Sequence, residues 1–371
     1  MKKNIAVILG DGIGPEVTQQ SIRVLDAIAE KFGHEFVYNN CLMGAVAIEA
    51  TGNPLPDATI EVCLNSDAIL FGAIGDPKYD NDPTAKVRPE QGLFKLRKIL
   101  QLYANIRPIT AYPSLNHLSP LKEKRIEDVD FVVYRELTGG IYFGEKKTSE
   151  DHTWATEECT YTAADIERIS HLAFKDAQKR RKKLTLIDKS NALETSKLWR
   201  KVVKDIALQY SDVKVDFMYV DNAAMQLIIN PKQFDVILTE NLFGDILSQE
   251  ACVVSGSVGL LPSMAIGNST ALFEPIHGSY PQAAGKDIAN PIGSILSAAM
   301  MLEYFGLKEE AALVRSGVEW TIKNLFVTKD VDPINFYFTS TVGELICEYI
   351  HGRVSGDVNL ENVELRKSTI I

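Results

Sequence analysis

Three arginines stand in segments where a guanidinium can meet an acid: Arg97 in GLFKLRK, Arg107 in ANIRP and Arg135 at the end of DFVVYRE. Arginine binds a carboxylate through a two-pronged fork, so three together would suit a small, multiply acidic substrate. Singly, each reads first as a surface or helix-capping cation. Asp221 in YVDNAAMQL and Asp245 in NLFGDILSQE follow strand-like runs, and Gln249 lies one helical turn beyond Asp245 on the same face. Oxygen donors of this kind, converging from separate elements, would make a sparse magnesium or manganese site, whereas two helix N-caps are the competing reading. Lys189 ends the apolar run LTLIDK, where desolvation can lower an amine's pKa and make it a base, although a salt-bridged lysine satisfies the same pattern. Tyr142 sits among glycines in GGIYFGE, open to a ligand or buried in a core.

A nucleotide site is less obvious. GDGIGP at 10–15 follows an apolar run and precedes a helix, but a dinucleotide fingerprint needs glycine where Pro15 stands. The next strand ends in Asn39 and Asn40 rather than in an acid for the ribose, and Asp11 inside the loop would repel a phosphate. The glycines read better as a tight turn. The loop FEPIHGSYPQAAGKDIANP at 273–291, with three prolines and two glycines, is long enough to be functional, and its backbone could hold an adenosine moiety. A helix should follow it, with Asn290 as N-cap.

Placing these residues requires alternating strands and helices. Runs at 4–9, 34–39, 67–74, 130–136, 183–189, 213–220 and 234–240 read as strands. A helix from Pro15 to Gly33 is the clearest of the intervening segments. The alternation predicts an α/β fold with a largely parallel sheet. At 371 residues the chain has room for two domains, and no flexible linker separates them, so they should share strands. The formal charge of −10 argues against nucleic-acid or membrane-surface partners, and the basic run at 175–183 reads as a solvated helix end. Five scattered cysteines without a CxxC pair suit a reducing compartment, and without a signal-like or membrane-spanning segment the expected location is the cytoplasm. The polar tail from 355 is expected to lie loosely on the surface.

Taken together, RELTGGIYFGE, GLFKLRK, NIRP, NLFGDILS and GLLPS resemble the isopropylmalate/isocitrate dehydrogenase family of β-decarboxylating dehydrogenases, over nearly the whole chain apart from the tail. RELTGGIYFGE is similar to the isopropylmalate branch rather than to the RENxE-type versions of the isocitrate and tartrate branches. The resemblance implies a two-domain α/β fold with a shared, mostly parallel twisted sheet, not a Rossmann fold. It places the first domain at 1–102 plus 257–371 and the second at 103–256, with a dimerisation arm near 151–165. It implies oxidative decarboxylation of (2R,3S)-3-isopropylmalate to 4-methyl-2-oxopentanoate with reduction of NAD, in leucine biosynthesis. The alternatives it leaves are another 3-substituted malate, such as homoisocitrate or tartrate, and a catalytically silent regulatory subunit.

By the same resemblance, Arg97, Arg107 and Arg135 bind substrate carboxylates, and Tyr142 and Lys189 form the acid/base pair. Asp221 and Asp245 hold Mg2+ or Mn2+, and Glu90, Leu93 and Phe94 meet the substrate's variable group. Lys189 and Asp221 would reach the neighbouring subunit's site in a homodimer. Glu274, His277, Gly278, Ser279, Gln282, Ala283 and Asn290 would surround the cofactor. Two positions depart from the family pattern: Gln249 and Gln282 stand where aspartates are usual. The first implies a weaker or partly water-mediated metal site, and the second implies looser discrimination of NAD from NADP.

Overall fold

In a computed structural model, which describes residues 1–82 and 85–354, the chain folds around one ten-stranded sheet. In chain order the strands are β1 (Lys2–Gly10), β2 (Glu35–Cys41), β3 (Ala68–Ala73), β4 (Leu102–Thr110), β5 (Asp130–Glu136), β6 (Lys146–Thr148), β7 (Ala155–Glu157), β8 (Lys183–Asp188), β9 (Lys214–Tyr219), β10 (Val236–Thr239), β11 (Pro262–Gly267) and β12 (Ala271–Pro275). The sheet runs β2-β1-β3-β12-β11-β4-β5-β10-β8-β9, so strands from the two ends of the chain make one half and strands from its middle make the other. Six of its nine pairings are parallel; the antiparallel ones, β12–β11, β11–β4 and β4–β5, cluster where the halves meet. This is a mixed α/β sheet and not a Rossmann arrangement.

The seven strands read from the sequence are present; apolar runs mark β1, β3, β5, β8 and β10, which are covered on both faces, while the edge strands β2 and β9 are only partly buried. The sequence did not reveal β4, β11 and β12. Pro108 interrupts the pattern of β4, while β11 and β12 are short and carry Pro, Ser and Gly. Part of the supposed 273–291 loop is therefore strand. The helix beyond it spans Ile292–Tyr304, buried on nearly all sides, and the Asn290 side chain accepts from Ile292 N–H at 3.0 Å. The arm expected near 151–165 includes strand β7 of the exposed hairpin β6–β7, and helix Ala163–Lys179 begins inside that range. The basic run is not simply solvated: Arg180 donates to the buried Asp235 at 2.9 Å, and Arg181 donates to the carbonyl of Asp130, also at 2.9 Å. The tail at 355–371 lies outside the described residues.

The GDGIGP segment is a turn pressed against protein backbone. Gly10 and Gly12 have positive φ, and a Cβ on either would lie 1.8 Å from Ala73 O or 2.0 Å from Ser279 O. That leaves no room for a phosphate. Asp11 accepts backbone N–H bonds from Ala45 (2.9 Å), Val46 (3.1 Å) and Gly75 (2.9 Å). One carboxylate thus caps helix Ala45–Thr51 and pins the loop after β3. Ile13 N–H donates to Ser279 O at 2.7 Å, fastening the turn to the segment after β12.

Candidate active site

The arginines converge because the sheet halves meet between them. Arg107 lies within β4, Arg135 ends β5, and Arg97 comes from helix Pro89–Ile99; all three are more than nine-tenths buried. Together with Tyr142 and Asp245 they line a cavity of about 330 Å³, which Glu90, Leu93, Phe94 and Glu274 also face. The carboxyl ends of strands around a change of direction in an open sheet are where such crevices form.

Each guanidinium is held from behind. Arg107 donates from Nε to Asn105 Oδ1 (2.5 Å) and from Nη1 to Ser248 Oγ (2.6 Å). Arg135 donates to Asn241 O (3.0 Å) and Oδ1 (2.9 Å), and from Nη1 to Asp245 Oδ1 (2.6 Å). Arg97 pairs with Glu274 at 3.0 Å, and its Nε is buried without a partner. An orphaned donor of this kind marks a place for an anionic oxygen. Burial, reinforced by Arg107, pushes the Arg135 pKa down to about 9; burial also lowers Arg107. Both remain charged at neutral pH, and an incoming anion would relieve their mutual repulsion.

Asp245 is neither an N-cap nor the opening residue of its helix. Helix Asn241–Glu250 begins after Glu240, and Asp245 lies more than a turn inside it. Gly244 allows this helix to press onto β5, since a Cβ there would meet Arg135 Cβ at 2.8 Å. That approach sets Asp245 against Arg135 and, through Oδ2, against the Tyr142 hydroxyl, which donates at 3.2 Å. Burial, followed by Asp245, raises the Tyr142 pKa, so its proton stays in place near neutral pH. The Tyr142 loop is fixed in turn by buried Glu136, which accepts from Thr138 N (2.9 Å) and Gly139 N (2.8 Å).

Lys189 and Asp221 do not line this cavity. They follow β8 and β9, two and three strands from β5, hence roughly 10 and 14 Å away along the sheet. Within one chain they pair with each other, Nζ to Oδ1 at 2.5 Å, with Asp221 largely exposed. Asp221 lies in the first turn of helix Val220–Ile229 and is not its N-cap. Gln249, expected among the metal donors, is also outside the cavity: it is exposed, with Oε1 3.9 Å from Cys252 Sγ. The physical reason is that the helix packs through Leu247 and Ser248, which turns position 249 outward. Among the described residues no three His, Cys, Asp or Glu side chains converge as a metal cluster. The oxygen donors suit a hard dication in kind, but of the three expected metal donors one chain brings only Asp245 to the cavity.

A second cavity of about 400 Å³ adjoins the first through His277 and Gly278, and Asn290 lines it as well. Ser279, Gln282 and Ala283 do not: Gln282 is exposed, and Ala283 is buried against Ile13, Val17 and Ala289. Ser257 and Asp330, which no motif marked, and Tyr280 of the 273–291 segment also line it. Asp330 accepts from Asn290 Nδ2 at 3.1 Å and Thr328 Oγ1 at 2.6 Å, which orients the Asn290 amide. Burial lowers the His277 pKa, so the ring is neutral, and its Nε2 is buried without a partner. A glycine-edged hollow with an unsatisfied imidazole nitrogen fits a planar heterocycle with hydrogen-bonding edges, as in a nicotinamide dinucleotide.

Comparison with known proteins agrees with this geometry. A 3-isopropylmalate dehydrogenase of Bacteroides fragilis is 52% identical over 352 residues, covering 94% of this chain and 99% of that protein. One of Bacillus subtilis is 47% identical over 369 residues, covering 98% and 100%. The crystal structure of an isocitrate dehydrogenase from Methylococcus capsulatus superposes with a TM-score of 0.85 at 34% identity, covering 94% of this chain and 99% of that one. The sequence profile described as isocitrate/isopropylmalate dehydrogenase matches residues 4–346. With the arginine-walled cavity at the junction of a mixed ten-stranded sheet, these matches establish that the chain belongs to the isocitrate/isopropylmalate dehydrogenase family.

Proposed function

We propose that the chain oxidises and decarboxylates (2R,3S)-3-isopropylmalate to 4-methyl-2-oxopentanoate with reduction of NAD, as a cytoplasmic step of leucine biosynthesis. The observation that carries this reading is the pairing, in one cavity, of three buried guanidiniums with the apolar wall of Leu93 and Phe94. The guanidiniums suit two carboxylates, and the wall suits an isopropyl group; a polar group there would lose hydration without a partner. Glu90 borders the same wall.

The charges of the cavity favour a divalent ion. Three guanidiniums face the carboxylates of Glu90, Asp245 and Glu274, so a dicarboxylate arrives with little net positive charge to meet it. Mg2+ or Mn2+ between Asp245 and Asp221 of a second copy would supply that charge, acidify the substrate's C2 hydroxyl and steady the enolate left by carbon dioxide. Arg97, Arg107 and Arg135 hold the carboxylates and fix which face of C2 is presented. Lys189 of the second copy takes the hydroxyl proton, and Tyr142 returns a proton to carbon once the carboxyl group has left. His277, Gly278, Asn290 and Asp330 of the second cavity would hold NAD, which would supply a hydride acceptor beside C2. Among the described residues no Lys or Arg lines that cavity and Asp330 does, which supports NAD over a cofactor carrying a further phosphate, despite Gln282.

A homodimer in which copies exchange Lys189 and Asp221 is supported by an exposed apolar face beside them: Met225, Ile229 and Ile246 on helices Val220–Ile229 and Asn241–Glu250. The two-lobed division at 1–102 plus 257–371 and 103–256 is supported by the sheet order. No described helix is long and apolar enough to cross a membrane. The test is NAD reduction with 3-isopropylmalate, with and without Mg2+. Metal-dependent turnover is expected; faster turnover of isocitrate, homoisocitrate or tartrate would refute the substrate, and no turnover of any would refute the enzyme.

A further inference from the structure

Two of the five cysteines lie together, away from both cavities. Cys41 ends β2 and is partly exposed; Cys63 lies in helix Asp57–Leu64 and is fully buried. The strand end and the helix are fastened by the Thr59 hydroxyl, which donates to Leu42 O at 2.7 Å. Cys63 is four residues beyond Thr59, on the same helical face, and packs with Cys41 in one apolar cluster. Cys41 Sγ donates to Asn39 O at 3.4 Å, and the neighbouring Cys63 thiol favours the Cys41 thiolate. Nothing in the proposed reaction uses either residue.

We propose that Cys41 and Cys63 form a peroxide-oxidisable dithiol that closes to an intramolecular disulfide. The Cys41 thiolate attacks a peroxide oxygen, the O–O bond breaks, and sulfenic acid and hydroxide result. The Cys63 thiol then attacks the Cys41 sulfur; the S–S bond forms, the S–O bond breaks, and water leaves with the Cys63 proton. Sulfur is oxidised by two electrons and the peroxide is reduced by two. The partition of roles follows from exposure: Cys41 meets solvent and Cys63 does not. The neighbouring Cys63 thiol holds the Cys41 thiol below its ordinary range, while Cys41 and burial push Cys63 up. The remaining cysteines have no such pairing: Cys159 is exposed beside Glu240, and burial raises Cys252 and Cys347 to about 11.

The site stands one layer behind the substrate cavity. Cys63 shares its cluster with Met43, Leu93 and Leu96, and Gly92 abuts Pro54 O, where a Cβ would sit 2.6 Å away. Pulling Cys63 toward β2 therefore shifts the support of helix Pro89–Ile99. This consequence rests on the reading of the cavity given above; the bond itself does not.

The reduced full-length protein is treated with hydrogen peroxide, alkylated under denaturing conditions and mapped by mass spectrometry. The expected result is loss of two hydrogens, a Cys41–Cys63 cross-linked peptide and recovery with dithiothreitol. Cys63→Ala should leave Cys41 as sulfenic or sulfinic acid, and Cys41→Ser should leave Cys63 alkylatable after denaturation. A bridge to another cysteine, or oxygen accumulating on Cys41 in the unsubstituted protein, would overturn the proposal. In the bridged protein the KM for 3-isopropylmalate should rise two- to fivefold and return on reduction. An unchanged KM in fully bridged protein would refute the coupling to the cavity, and no turnover before oxidation would refute the substrate reading instead.

Discussion

Tyr142 and Asp245 share a hydrogen bond of 3.2 Å, with the Arg135 guanidinium 5.9 Å from the tyrosine ring. If the phenol is the proton donor, Tyr142→Phe should lower kcat by about 10²–10⁴-fold with little change in KM, since the ring still fills its place. An equal loss in KM would assign it to binding. Arg135→Lys removes the fork that grips Asn241 and Asp245 together; KM for the substrate should rise at least tenfold, measured by initial rates. Glu240 poses a different problem. It is buried at the junction of β10 and the Asp245 helix, its Oε2 has no partner, and burial, then Asp188 and Glu136, push its pKa up to about 7. A carboxyl whose folded pKa exceeds its unfolded value binds more protons when folded, so stability falls as pH rises from about 4.5 toward 7. Glu240→Gln should therefore be neutral near pH 4 and stabilising above pH 7, by at most about 3 kcal/mol in urea denaturation. A gain that is independent of pH would show that the charge is not the cause.

At the level of elements, the site depends on close approaches that few residues permit. Gly244 lets a helix meet β5, and Gly12 lets a turn meet Ser279 O. Asp11 gathers three backbone N–H groups from two segments. Asp11→Ala should destabilise the protein by about 2 kcal/mol, toward the upper end for loss of a cap, with reduced amide protection spreading to the loop at Gly75. Asp11→Asn keeps the shape and should recover part of that loss. A hydrogen-exchange change confined to helix Ala45–Thr51 would show that the loop is held by other contacts.

For the whole molecule, the separation of Lys189 and Asp221 from the cavity makes a stoichiometric prediction. Homodimers of Lys189→Ala and of Tyr142→Phe should both be nearly inactive. Randomly reassorted mixtures should regain about a quarter of normal activity, because half the dimers would then hold one intact site of two. No recovery after verified subunit exchange would place Lys189 in its own chain's site. The sheet order makes this separation unavoidable, since β8 and β9 lie at the far edge of the half that β4 and β5 begin.

The sequence by itself determined the types of group and most of the scaffold. Uninterrupted apolar runs specify strands covered on both faces, and RELTGGIYFGE, NIRP and NLFGDILS carry the family pattern, including Arg107, Arg135, Tyr142 and Asp245. It also favoured a turn over a phosphate cradle at GDGIGP, because Asp11 and Pro15 are local facts. Strands β4, β11 and β12 were hidden because Pro108 breaks the pattern of the first and the other two are short runs carrying Pro, Ser and Gly, held by pairing to β3, to β4 and to each other. Only the tertiary structure decided that Gln249 faces outward, that Ser257 and Asp330 wall the second cavity, and that Lys189 pairs with Asp221 at a distance from Tyr142. Such outcomes depend on which face of a helix packs and on which strands become neighbours, and those are settled by burial across the whole chain rather than by spacing along it.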